Sequence, residues 1–284
     1  MAIIEAKGLT YTYPFAEKPA FKNIDLKIEK GEFILLTGPS GCGKTTLCRC
    51  LNGLIPHFYG GKLEGELTVA GLKTTEHAIY EIARHVGLVF QNPENQLFAL
   101  TVEKDVAFGL ENLGVPRDEI RRRVDWALKI TGIYELKDRA PFELSGGQQQ
   151  RVAIASVLAM QPEIIVLDEP TSSLDPLSAK NILDVIHRLN KDLGITIILV
   201  EHRLDLASRY ANRVIVMMDG QIVLDGEPRK VFLQRETKLI GVGIPKVVRL
   251  YLSLKENGVG LSKVPLSPEE ASQLIAEALT FDRG

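Results

Sequence analysis

The run Gly38-Pro39-Ser40-Gly41-Cys42-Gly43-Lys44-Thr45-Thr46 has the residue types and spacing of an anion cradle. Glycines at 38, 41 and 43 let the backbone turn so that successive N–H groups face one oxyanion. Lys44 carries an ammonium able to reach the β- and γ-phosphates of a nucleotide, and the Thr45 hydroxyl can ligate Mg²⁺. The apolar run Phe33-Ile34-Leu35-Leu36 predicts a buried strand entering the loop, and Thr46 to Leu51 predicts a helix leaving it. That helix start adds partial positive charge at the same point. Strand, glycine loop and helix together make a phosphate site; they do not say what the nucleotide is for.

Two further groups bear on that question. Ile164-Ile165-Val166-Leu167-Asp168-Glu169 is an apolar strand ending in paired carboxylates. At such a strand tip Asp168 can hold Mg²⁺, directly or through water, and Glu169 can polarise the water that attacks the γ-phosphate. Leu144-Ser145-Gly146-Gly147-Gln148 places glycines and a hydroxyl before a predicted helix from Gln149 to Met160. This is a second anion-binding helix start in one chain. A protein with two such termini and one nucleotide either binds a second anion or lends one terminus to a neighbour.

The elements that must position these groups follow from the rest of the chain. From Ile3 to about Ile34 short apolar segments alternate with Gly8, Pro14, Pro19 and Gly31, and Gly60 to Gly71 continues that style, predicting strands and tight turns. Val86 to Phe90 predicts a compact strand ending at Gln91, followed by the polar loop Asn92 to Gln96. From Thr101 to Met160 the pattern becomes helical, with Val102, Val106, Phe108, Leu110 and Leu113 close to helical spacing. Arg121-Arg122-Arg123 reads as a solvated helix face. Strand and helix then alternate: Ile164 to Leu167, a helix from Pro176 to Leu193, and Ile195 to Val200 predict a parallel sheet covered on both faces. Val214 to Met218 and Gln221 to Leu224, split by Asp219-Gly220, carry a hairpin signal. Beyond Gln234, helices are predicted after Pro245 and after Ser267, the latter with Ser267 as N-cap, Pro268 at the first helical position and Glu270 at the box position.

Composition narrows the class. The chain has 284 residues, 45% hydrophobic and 25% charged, enough for one large or two modest domains. A net charge of −2 does not suggest a basic surface for nucleic acid. The three cysteines, Cys42, Cys48 and Cys50, lack metal-site spacing and suit a reducing compartment, with Cys42 an inert small residue in the loop. No apolar run is long enough to span a bilayer, and the N-terminus lacks a signal-peptide pattern, so any membrane role is expected to come through a partner.

At these residues the chain resembles the ATP-binding cassette ATPases, in order, from Ile3 to about Phe232. The resemblance implies an α/β P-loop NTPase fold: a mostly parallel, RecA-like sheet, an N-terminal antiparallel β subdomain, and a helical subdomain at about 92–161 inserted in an ATPase domain at 1–234; the two helices predicted beyond Gln234 would make a small helical extension at 235–284. It implies ATP and Mg²⁺ as ligands. By that resemblance Gly38 to Thr46 would bind the phosphates, Tyr13 would stack on adenine with Tyr11 competing for that role, and Thr45, Gln91 and Asp168 would serve the metal. The same likeness implies that Gln91 also reaches the attacking water, that Glu169 is the base, and that His202 contacts the γ-phosphate with Lys44. Ser145, Gly146, Gly147 and Gln148 match the family signature, which faces the γ-phosphate bound by the opposing subunit. Ser172-Ser173-Leu174-Asp175 resembles the loop that links the two sites across the dimer. Glu201, before His202, departs from the threonine of many relatives and puts a negative charge beside the switch histidine.

Within the family, the interval between phosphate loop and signature has no heptads, unlike chromosome and repair members, and a single cassette is unlike translation-type members. Phe90 to Phe98, continuing through Thr101 to Gly109, is similar to the ATPases of energy-coupling factor transporters, which take up vitamins or transition metals. That likeness implies a translocase working as a homodimer or paralogous heterodimer. Its partners are a transmembrane coupling protein and a small membrane substrate-binding subunit, at the cytoplasmic face of the cell membrane. A conventional importer cassette fed by a soluble binding protein, and a soluble non-transport ATPase, stay open as alternatives.

Overall fold

The computed structural model describes residues 2–234, 237 and 243–281. Strands β1 (Ala2–Thr12), β2 (Phe21–Glu29), β4 (Lys62–Val69) and β5 (Leu72–Lys73) form an antiparallel sheet in the order β2-β1-β4-β5. A second sheet has the order β10-β9-β3-β8-β7-β6, built from β3 (Phe33–Thr37), β6 (Val86–Val89), β7 (Ile164–Asp168), β8 (Thr196–Val200), β9 (Arg213–Met218) and β10 (Gln221–Gly226). Only β10 runs antiparallel there, joined to β9 through Asp219 and Gly220, whose φ values of 48° and 75° make the tight turn the Asp-Gly pair predicts.

Alternation in β3 explains why this sheet is buried on both faces. Ile34 and Leu36 join Ile4, Leu26, Leu47 and Ile198 in a core between the sheets, under the helix Lys44–Leu51. Phe33 and Leu35 join the opposite core, with Ile165, Leu199 and the apolar faces of the helices. Each fully buried aliphatic side chain of this kind stabilises the fold by roughly 1.5–3 kcal/mol.

The helices Val102–Asn112, Arg117–Thr131 and Gly146–Ala159 form the inserted layer expected from the sequence. Val102, Val106 and Leu110 recur every four residues and are buried. Phe108 lies two residues off that stripe, is exposed, and packs edge-on against Phe98 with ring centroids 4.6 Å apart. Its near-helical spacing in the sequence therefore did not mark a core position.

The helices Lys246–Glu256 and Pro268–Phe281 bear out the two expected beyond Gln234. Glu270 N–H donates to Ser267 Oγ at 3.2 Å, as an N-cap requires, but the Glu270 carboxylate accepts from Leu266 N–H at 2.9 Å. Glu270 also pairs with Arg229 at 2.7 Å, and Ile244, Val248, Val264 and Leu266 enter the helical-side core. The expected boundary between 234 and 235 borders residues 235–236, which lie outside the described ones.

Candidate functional site

The site sits at the carboxyl edge of adjacent parallel strands, where α/β sheets bind ligands. In the β3-β8-β7 array Leu36 pairs with Val200 and Val200 with Asp168, so three loops leave the sheet side by side. These are the phosphate loop after Thr37, the Glu169 loop after Asp168, and the His202 loop after Val200. β6 flanks β7 and delivers Gln91 to the same edge.

The phosphate loop is shaped by close backbone approaches. Gly38 has φ 147°, and a Cβ there would fall 2.1 Å from the Met217 carbonyl oxygen. Gly43 has φ 104°, and its Cβ would meet the Ala20 carbonyl oxygen at 2.8 Å. Lys44 Nζ donates to the Gly38 and Pro39 carbonyls, both at 2.9 Å, which holds the ammonium inside the turn. Cys42 is buried with its sulfur 3.7 Å from Lys44 Nζ, and all three cysteines are free and buried.

Tyr13, Ser40, Gly41, Lys44, Thr46 and Glu169 line one cleft of about 270 Å³ above this loop. The two tyrosines separate clearly. Tyr11 is fully buried and donates its hydroxyl to the Gly60 carbonyl at 2.9 Å, whereas Tyr13 lies past the end of β1 and faces the cleft. The Tyr13 hydroxyl touches Thr46 Oγ1 at 3.1 Å and accepts from Arg49 at 3.3 Å. Sequence reasoning favours Tyr13 with Tyr11 as competitor, and of the two Tyr13 is the one that lines the cleft.

Around the carboxylates the geometry is tight. Thr45 Oγ1 donates to Asp168 Oδ1 at 3.1 Å. Burial pushes the Asp168 carboxyl above its ordinary range, with the Thr45 hydrogen bond acting the other way. Glu169 has φ 50°, a left-handed conformation uncommon outside glycine, asparagine and aspartate. Its Oε2 accepts from Gln91 Nε2 at 3.1 Å, and its Oε1 lies 3.0 Å from His202 Nε2. The three residues that the sequence places 33 and 78 positions apart thus meet at one carboxylate.

Glu201 does not face this cluster. It is only 2% exposed, and its Oε2 accepts from the backbone N–H groups of His202 and Arg203 at 2.9 and 3.0 Å. Its Oε1 accepts from the Thr171 hydroxyl. The carboxylate that the sequence sets beside His202 is turned inward and caps the turn bearing it. No sequence pattern signals this, because Thr171 is 30 residues away.

Ser145, Gly147 and Gln148 line a separate cavity of about 220 Å³ with Arg151 and Ser178. The helix begins at Gly146, earlier than the Gln149 expected, because Ser145 and Gln148 close a capping box. Gln148 Oε1 accepts from Ser145 N–H at 2.9 Å, and Gln148 N–H donates to Ser145 Oγ at 3.4 Å. Two satisfied amides outweigh the low helix propensity of the glycines. Neither glycine is demanded by the chain's own packing: a Cβ on Gly146 would meet Leu174 at 3.6 Å and one on Gly147 would meet Ser178 at 3.4 Å, ordinary contacts. Asp175 Oδ1 accepts from the Leu177 and Ser178 amides at 2.9 and 3.0 Å, so that oxygen caps the helix Pro176–Leu193.

A strand-to-helix phosphate loop, strand-tip carboxylates and a capped glycine helix start on an inserted helical layer define a cassette-type ATPase. The ABC transporter family model matches residues 21–172, and the chain belongs to that family as an ATP-binding subunit. It is 45% identical, over 96% of its length and 98% of the relative's, to the energy-coupling factor transporter ATP-binding protein EcfA1 of Caldanaerobacter subterraneus subsp. tengcongensis. The solved structure of cbiO1 from Clostridium perfringens, part of the ABC transporter complex cbiONQ, is similar with a TM-score of 0.76 and 37% identity, covering 90% of this chain and 97% of that one. A dimeric post-hydrolysis cassette, MJ0796 bound to ADP and Pi, matches with a TM-score of 0.69 and 33% identity, covering 80% and 99%. The RecA-like sheet, antiparallel β subdomain and helical layer expected from the sequence are thus those of the family. Among the described residues no helix is long and apolar enough to cross a membrane.

Proposed function

We propose that this chain hydrolyses ATP to energise uptake of a vitamin or transition-metal ion through an energy-coupling factor type transporter, working in a dimer of cassettes. The observation that carries the dimer is the division of the site: within one chain, Ser145, Gly147 and Gln148 line a different cavity from the phosphate loop and Glu169. Glycines that the monomer does not need at 146 and 147 suit an oxyanion arriving from a second subunit. The likeness to EcfA1 and to cbiO1 supports the transporter class.

In this reading Tyr13 stacks on adenine and the loop amides, with Lys44, hold the β- and γ-phosphates. Glu169 accepts the proton of the attacking water, while Gln91 and His202 fix its two oxygens so that the carboxylate is aimed before water arrives. Thr45 and Asp168 offer hard oxygen ligands already in contact, and Asp168 is a buried carboxylate. That donor set fits Mg²⁺, which when bound neutralises charge on the phosphates. His202 would then lie where it can contact the γ-phosphate.

Docking to membrane partners is assigned to the helical layer. Asp105 accepts from the Phe98 and Ala99 amides, both at 3.1 Å, which fixes a loop that leaves Phe98 and Leu100 exposed beside Phe108. The chain would then act peripherally at the cytoplasmic membrane face. Affinity purification of the chain from detergent-solubilised membranes of its own cells tests the proposal. A transmembrane coupling protein and a small membrane substrate-binding subunit are the expected companions. Recovery with a soluble binding protein instead would select the conventional importer.

A further inference from the structure

Glu169 and His202 belong to the half-site around this chain's own phosphate loop, while Gly146 and Gly147 belong to the half-site that it offers outward. A continuous set of contacts joins them, and Arg203 is its centre. Its backbone N–H is held by Glu201 at 3.0 Å, next to His202. Its guanidinium Nη1 donates to the Leu174 carbonyl at 2.8 Å, and Nη2 to the Ser172 carbonyl at 3.4 Å. The Leu174 side chain in turn packs against the glycine face of the signature helix, with its Cδ2 3.6 Å from the place a Cβ on Gly146 would take. Leu174 is buried, so a shift of its backbone carries its side chain along that face.

We propose that Arg203 is a positioning residue that links the two half-sites within this chain. By gripping the Ser172 and Leu174 carbonyls from the turn that bears His202, it makes the seating of the signature helix and the aim of His202 on Glu169 depend on one another. A planar guanidinium suits this task because its donors reach two carbonyls from a fixed fork, which an ammonium cannot do with the same geometry. Residues 201–203 thereby act as a unit: Glu201 holds Thr171 behind, His202 touches Glu169 in front, and Arg203 holds the loop that follows. The inference rests on the proposed role of Glu169 and on the dimer.

The test uses the full chain in its native transporter complex, comparing Arg203→Met, Arg203→Lys and Glu169→Gln. For Arg203→Met, turnover is expected to fall about ten-fold or more with the affinity for mant-ATP within about two-fold of wild type, since only a turnover interaction is lost. The Hill coefficient for ATP should drop toward one, and Arg203→Lys should lie between Met and wild type. Wild-type turnover and Hill coefficient in Arg203→Met would overturn the inference. So would a parallel fall in melting temperature and mant-ATP affinity, which marks a role in folding. If Glu169→Gln hydrolyses normally, the reading of the site itself fails; if Glu169→Gln is inactive and Arg203→Met is normal, only the linkage fails.

Discussion

Thr45 donates its hydroxyl hydrogen to Asp168 across 3.1 Å, joining the first turn of the phosphate-loop helix to the tip of β7. The contact unites a loop residue and a strand residue 123 positions apart, the two whose oxygens are proposed above to serve Mg²⁺.

Asp168 is held in the fold at a disadvantage to its charge. Burial raises its carboxyl, so the folded chain keeps a proton there at pH values where the unfolded chain has lost it. This group's contribution to the stability of the nucleotide-free protein is therefore fully present below the ordinary carboxylate range. It is lost as pH rises from that range through the raised folded value. Asp168→Asn should remove this slope, raise the melting temperature of the nucleotide-free protein at neutral pH, and abolish Mg²⁺-dependent turnover. A lower melting temperature for the variant, by calorimetry at neutral pH, would show the opposite sign.

Gly147→Ala separates folding from function. The added methyl meets Ser178 at an ordinary contact distance, so stability should be unchanged or rise by up to about 1 kcal/mol from helix propensity. Turnover should fall at least about ten-fold, because the added methyl takes the space in which an oxyanion from a second subunit would approach the backbone. Thermal melts and steady-state hydrolysis on the same preparation check both halves.

Glu201→Ala strips the acceptor from the buried Thr171 hydroxyl and two amides. A loss of about 2–3 kcal/mol of stability is expected from leaving such groups unsatisfied. Urea unfolding measures it, and Glu201→Gln, which keeps an acceptor oxygen, should lose less.

The exposed aromatic pair gives a separate readout. Phe98→Asp with Phe108→Asp removes an apolar surface that the chain's own core does not use. The double variant should bind mant-ATP normally and fail to capture membrane subunits in affinity purification. Normal capture would move the docking surface elsewhere.

Much of the site was legible because its parts are local. A strand entering a glycine loop and a helix leaving it encode their own conformation, so Gly38 to Thr46 and the Asp168–Glu169 tip could be read from neighbours in sequence. The helix start at Gly146 was placed late because glycine propensity argues against helix, while the Ser145–Gln148 box that overrides it needs both side chains folded back. The inward turn of Glu201 was illegible for a different reason: its partner Thr171 is brought beside it only by the pairing of β7 with β8. Phe108 misled because helical spacing alone does not say which of two adjacent faces meets the core.

The seating of Gly38 against the Met217 carbonyl and of Gly43 against that of Ala20 carries a calorimetric consequence. The loop's turn is dictated by β9 and by the residues just before β2, ahead of any anion, so nucleotide arrival has little backbone left to order. Association with a single chain should show a small heat-capacity change, without the large negative value that accompanies coupled folding. A large one would then have to come from apolar surface buried elsewhere, when two cassettes come together.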